Sequence, residues 1–143
     1  MMKGAPDKKV LFVDDDDAIA PLCRRAFGKA GMEVLFARTT DEAFDRFQQE
    51  SPSAVVVDGR LGDGSGGLDL LGRIMLQRPV PAVIHTTYGF FRDNFLSWAA
   101  DEYVLKTPDL SSLVQTVARL LEEREAHQSQ ATPTEMTTLS AAR

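Results

Sequence analysis

Five short apolar runs, each stopping at a polar or small residue and each followed by a stretch of helical spacing, constrain this chain most. Lys9–Val13 stops at four aspartates, Asp14 to Asp17. Met32–Ala37 is the second run, and Ala54–Val57 stops at Asp58. Pro81–Thr86 ends in hydroxyls, and Tyr103–Leu105 stops at Lys106. Runs this short, rich in branched and aromatic residues, read as strands buried on both faces.

Between them the period changes to that of a helix. Ile19, Leu22, Cys23, Ala26, Phe27 and Ala30 recur at helical spacing until Gly31 stops the pattern. Pro21 fits such a helix only in its first turn, where its missing N–H has no intrahelical partner. Thr39 and Glu42 form a capping box ahead of Ala43, Phe44 and Phe47. Leu68, Leu70, Leu71, Ile74 and Met75 predict a third helix after the glycine-rich stretch Gly59–Gly67. A weaker, aromatic helix is expected over Phe90 to Ala100. Leu110, Leu113, Val114, Val117, Leu120 and Leu121 mark the last one, capped by Asp109 or Ser111. The predicted domain covers residues 8–125. The Ser, Thr, Ala, Gln and Pro residues of 126–143 lack periodicity and predict a disordered tail or linker.

Strand–helix alternation of this kind means an α/β domain, a doubly wound five-stranded parallel sheet with helices on both faces. A length of 143 residues, 43% of them hydrophobic, suits one soluble domain. The net charge of −5 argues against direct nucleic-acid binding, and no polybasic stretch offers a membrane contact. The N-terminus leads into acidic residues instead of an apolar signal core, and no run is long enough to span a bilayer. One cysteine cannot form an internal disulfide, which fits a cytoplasmic setting.

In such a sheet functional groups gather at the carboxyl ends of the strands. There Asp14, Asp15, Asp58, Thr86 and Lys106 would converge on one crevice. Carboxylates forced together repel each other and need a cation when ionised. Hard oxygen ligands suit Mg2+. An ion of this kind beside an ammonium and a hydroxyl can stabilise a transferring phosphoryl group, and an aspartate can be its nucleophile.

From about Lys8 to Glu123 the chain resembles the receiver domains of two-component response regulators. The likeness rests on Val10–Asp16, Ala54–Asp58, Thr86–Gly89 and Asp101–Lys106. It implies the flavodoxin-like strand order 2-1-3-4-5. It further implies Asp58 as phosphoacceptor, with Asp14, Asp15, Asp58 and the main-chain carbonyl of Arg60 around Mg2+. Thr86 would bind a phosphoryl oxygen, Lys106 would pair with its charge, and Tyr103 would swing inward when Thr86 moves. Arg60 and Tyr88 would tune dephosphorylation, and both being large predicts slow loss. A sensor histidine kinase or histidine phosphotransfer protein would be the donor, and a downstream protein the target. The likeness also allows a homodimer through the fourth helix, fifth strand and fifth helix.

Several features depart from the family pattern. Thr107 separates Lys106 from Pro108, so the loop after the fifth strand is expected to be shaped differently. The loop after Asp58 lacks the usual Met-Pro, and Gly66-Gly67 suggests a looser backbone. Without a P-loop lysine, Gly62–Gly67 reads as a flexible connection. Asp16 and Asp17 read as solvated charge at a helix start. Cys23 reads as core filler and His85 as a packed strand histidine; with His127 the only other histidine, zinc is implausible. Trp98 with Phe90, Phe91 and Phe95 is either core or an apolar patch for a partner. Two other functions compete. Asp14 and Asp16 match the Asp-x-Asp of haloacid-dehalogenase-type phosphohydrolases, but the chain lacks length for their cap. An unphosphorylated pseudo-receiver acting as a docking module is the nearer alternative.

Overall fold

Chain order and pairing order differ in this sheet, and the difference creates the site. The computed structural model describes residues 8–61, 66–87 and 100–130. Its strands are β1 (Lys8–Val13), β2 (Met32–Ala37), β3 (Ala54–Asp58), β4 (Ala82–Thr86) and β5 (Glu102–Leu105). Its helices are α1 (Ala20–Lys29), α2 (Thr40–Glu50), α3 (Gly66–Gln77) and α4 (Ser111–Gln130), with a 3-10 turn at Asp17–Ile19. All strand pairs are parallel, in the order β2-β1-β3-β4-β5. The chain therefore moves one way from β1 to β2 and the other way to β3. A crevice opens at that switch point, above the carboxyl ends of β1 and β3.

The local signals in the sequence explain where most elements start and stop. Pro21 lies in the first turn of α1, and Gly31 leaves the helix at φ +82°, a conformation that favours glycine. The Thr39 hydroxyl accepts the Glu42 N–H at 3.1 Å, and the Glu42 carboxylate accepts the Arg38 N–H at 2.9 Å. Asp109, and not Ser111, caps α4 by accepting the Ser111 N–H at 2.9 Å.

Two expectations need correction. Gly66 and Gly67 do not belong to a loose connection; they form the packed first turn of α3. Residues 126–130, assigned to the tail from their lack of apolar periodicity, continue α4. Ala126, Gln128 and Gln130 are good helix formers, and a helix can continue without an apolar stripe. An ion pair from Lys8 to Glu125, and Arg124 donating to the Pro79 carbonyl at 3.3 Å, tie this end to the domain. Residues 1–7, 62–65, 88–99 and 131–143 lie outside the described residues, and with them Tyr88, Trp98 and all but the last residue of the helix expected over Phe90 to Ala100. Among the described residues no helix is long and apolar enough to cross a membrane.

Alternate residues of the central strands feed two cores. Leu11, Val13, Val55, Val57 and Ile84 meet Phe47 of α2 and Leu68, Leu71 and Ile74 of α3. Val10, Phe12, Val56 and Val83 meet Cys23 and Phe27 of α1 and Leu113 and Val117 of α4. Phe12 is the centre of the second core, stacked on Phe36 at 6.0 Å and edge-on to Phe27 at 6.2 Å and His85 at 5.8 Å. His85 is buried, and the Cys23 thiol beneath Asp14 is pushed up to about 12 by burial and by the neighbouring carboxylate. Both therefore pack as neutral groups at physiological pH, His85 because burial, with the Lys106 charge adding, lowers its pKa to about 4.

Two measurements follow from this core. Phe12→Ala should cost about 3–5 kcal/mol in urea unfolding, because it empties the centre of one layer. Unfolded histidine takes a proton near pH 6.5, whereas folded His85 does so only near pH 4. Between those values the unfolded chain binds more protons, so stability should fall as pH drops through the window. The loss attributable to His85 is on the order of 3 kcal/mol. His85→Leu should flatten this part of the curve; equal slopes in both proteins would mean that the imidazole ionises freely in the fold.

Candidate functional site

Strand register places the acidic residues side by side. Val13 lies opposite Val57, so Asp14 leaves β1 beside Asp58 at the end of β3. Asp58 is in turn opposite His85, and Thr86 is opposite Leu105, the residue before Lys106. Two backbone bonds set the outer positions: Asp14 N–H donates to the Ala37 carbonyl at 3.0 Å, and Lys106 N–H to the Thr86 carbonyl at 2.7 Å. The convergence expected at the strand ends is thus a consequence of sheet register.

Carboxylate oxygens of Asp14, Asp15 and Asp58 all lie within 4.8 Å of one another. Asp14 and Asp58 are buried and Asp15 is exposed, so the cluster has a closed floor and an open rim. Lys106 Nζ donates to Asp58 Oδ2 at 3.0 Å and to Asp14 Oδ2 at 3.1 Å. Burial opposes the charge of Lys106, but hydrogen bonds and charges of Asp58 and Asp14 outweigh it and raise its pKa. Burial raises the pKa of Asp14, with the Asp58 charge adding to it, while the Asp16 amide and Lys106 pull the other way. One ammonium cannot neutralise three carboxylates. The remaining charge and an all-oxygen donor set fit a hard divalent cation such as Mg2+.

Main-chain donors orient both buried carboxylates. Asp14 Oδ1 accepts the Asp16 N–H at 2.9 Å, and Asp58 Oδ1 accepts the Arg60 N–H at 3.0 Å. The Asp58 carbonyl accepts the Leu61 N–H at 3.1 Å, which curls the chain after β3 and buries Leu61. Thr86 is buried, and among the described residues its hydroxyl oxygen has no hydrogen-bond partner. A buried hydroxyl without a partner is costly. Tyr103 is 41% exposed on β5, and burial raises its pKa.

Asp14, Asp15, Asp58 and Lys106 are therefore brought together, with Thr86 on the neighbouring strand and Arg60 on the turn after Asp58. Two contributors were not legible as functional in the sequence. Asp16 is more than solvated charge: its amide orients Asp14, while its carboxylate accepts the Ala18 N–H at 3.1 Å and caps the 3-10 turn. Gly67 abuts the Asp58 carbonyl; a glycine opening an apolar helix was the available signal, and its pairing with Gly66 suggested looseness instead.

The family model of the response regulator receiver domain matches residues 10–118. The acid tolerance regulatory protein ActR of Sinorhizobium medicae is 33% identical over 122 residues, covering 83% of this chain and 62% of ActR. The chain thus spans less than two thirds of that relative's length. The response regulator TrrA of Thermotoga maritima, solved in complex with Mg2+–BeF, superimposes with a TM-score of 0.73 at 31% identity, covering 79% of this chain and 98% of TrrA. TrrA has also been solved in complex with the histidine kinase ThkA; that match has a TM-score of 0.71 at 31% identity and covers 80% of this chain and 98% of the other. With a family match across most of its length and the same sheet order, the chain belongs to the response regulator receiver domains.

Proposed function

We propose that this receiver domain takes a phosphoryl group onto the Asp58 carboxylate and changes its protein-binding surface as a result. The observation that carries the reading is the Lys106 ammonium shared by Asp58 and Asp14, on the rim of a three-carboxylate cluster. A histidine kinase or histidine phosphotransfer protein is the donor, in keeping with the ThkA complex of TrrA. A carboxylate oxygen of Asp58 attacks phosphorus, the P–N bond to the donor histidine breaks, and the imidazole leaves. Lys106, already in contact with Asp58, stays beside the incoming charge. The Thr86 hydroxyl gains its missing partner from a phosphoryl oxygen, and Tyr103 leaves its exposed position as Thr86 moves.

Asp14, Asp15, Asp58 and the Arg60 carbonyl would hold Mg2+, which when bound offsets negative charge on the transferring group. The Mg2+–BeF complex of TrrA supports this assignment. The domain is a switch and not a turnover enzyme: it catalyses its own phosphorylation and then loses the group to water. Its output is a protein contact in the cytoplasm, made without direct nucleic-acid or membrane binding, and homodimerisation is one form that contact can take. The docking-only alternative gains no support from a complete acidic set or from the relatives.

Incubation with a small acyl phosphate and Mg2+ should add one phosphoryl group by intact mass, and none in Asp58→Asn. No mass gain in the wild type with an acyl phosphate, together with no Mg2+-dependent binding of a beryllium fluoride mimic, would contradict the reading. Arg60→Ala and Tyr88→Ala should each shorten the lifetime of the phosphorylated form several-fold by opening a path for water. Unchanged decay would contradict a role for these side chains in dephosphorylation.

A further inference from the structure

Gly67 opens α3 directly against the main chain of Asp58. A methyl group built on its Cα would lie 2.4 Å from the Asp58 carbonyl oxygen, 2.9 Å from Val57 Cγ1 and 3.1 Å from Gly59 Cα. Ordinary contact begins at 3.4 Å, so the overlap with the carbonyl is about 1 Å. Two of these three obstacles are backbone atoms, which cannot rotate aside. Gly66 is different. Its methyl would meet the Leu61 carbonyl oxygen at 2.9 Å and Thr40 Cγ2 at 3.3 Å, so its tightest clashes are with the loop and α2 and not with Asp58. Gly72, further along the same helix, has nothing within 4 Å of that position.

We infer that Gly67 is a positioning residue for phosphoryl transfer: without a side chain, it lets the first turn of α3 rest on the Asp58 carbonyl and hold the phosphoacceptor in place. The inference rests on the proposed role of Asp58. The same carbonyl accepts the Leu61 N–H at 3.1 Å, so it is confined from both sides. The carboxylate of Asp58 is bonded to Arg60 N–H and to Lys106 Nζ, each at 3.0 Å. A main-chain shift of about 1 Å away from either donor takes that contact beyond hydrogen-bond range. It also moves the turn carrying Arg60, whose carbonyl is assigned to the cation.

The test compares Gly67→Ala with Gly66→Ala and Gly72→Ala. Calorimetry gives the Mg2+ dissociation constant, intact mass gives the rate of phosphorylation by acetyl phosphate at saturating Mg2+, and thermal unfolding reports stability. Gly67→Ala should bind Mg2+ about tenfold more weakly and be phosphorylated about 100-fold more slowly, the scale expected for a 1 Å misplacement. Gly66→Ala should lose stability without a matching loss at the site, and Gly72→Ala, mid-helix with open space, should keep wild-type Mg2+ binding and rate while gaining stability. A Gly67→Ala protein with wild-type Mg2+ binding and rate, altered only in thermal midpoint, would overturn the inference. Should Gly67→Ala fail to fold, hydrogen exchange in the wild type decides. Mg2+ with beryllium fluoride should slow exchange at the amides of residues 67–70, and unchanged exchange there overturns the inference. A wild type that binds Mg2+ but takes no phosphoryl group counts against the proposed function alone, and the Mg2+ comparison then settles the role of Gly67. A wild type that does neither overturns both.

Discussion

The ammonium of Lys106 sits 3.0 Å from Asp58 and 3.1 Å from Asp14, and this shared contact makes the acidic site compatible with a folded domain. Two buried carboxylates side by side at the ends of neighbouring strands would otherwise repel one another in a poorly solvated place. Lysine suits the position because a long, flexible stem carries a compact charge that can follow either carboxylate. Such a group can also shift toward an incoming anion without leaving the site. The cluster keeps excess negative charge even so, and Asp15 on the rim leaves a solvent-facing approach for a cation.

The rest of the fold holds this arrangement still. β1 and β3 are covered on both faces, so their ends cannot twist without disturbing one of two packed layers. Below the carboxylates the packing is neutral, with Phe12, His85 and Cys23 forming an apolar bed. Above them the main chain supplies the orienting donors, from Asp16 and Arg60. On the far side of Asp58, the first turn of α3 presses on its carbonyl through Gly67. The positions of the reactive groups therefore depend on backbone geometry as much as on side-chain contacts.

Much of this was legible in the sequence because strand ends are abrupt. Val13 followed by Asp14, and Val57 followed by Asp58, mark where burial stops and chemistry starts. With a parallel sheet inferred, their convergence follows. Caps were legible where a side chain makes the bond, as at Thr39 and Glu42. Close backbone approach was not, since Gly66-Gly67 has the same letters whether it is loose or tightly packed. The extension of α4 to Gln130 was missed for a related reason. Apolar periodicity reports the buried face of a helix and is silent once the helix runs past the sheet. Asp16 was undervalued because its contribution to Asp14 comes from its amide, which every residue but proline carries.

If these carboxylates form one cation site, removing a single member should abolish cation binding. Asp15 is the most informative member, because it is exposed and its replacement leaves both cores intact. Thermal unfolding of the wild type and of Asp15→Asn, with and without millimolar Mg2+, tests the claim directly. A ligand that binds only the folded state raises its stability. Mg2+ should raise the Tm of the wild type clearly and that of Asp15→Asn little or not at all. No rise in the wild type, or an equal rise in both proteins, would contradict a single cation site.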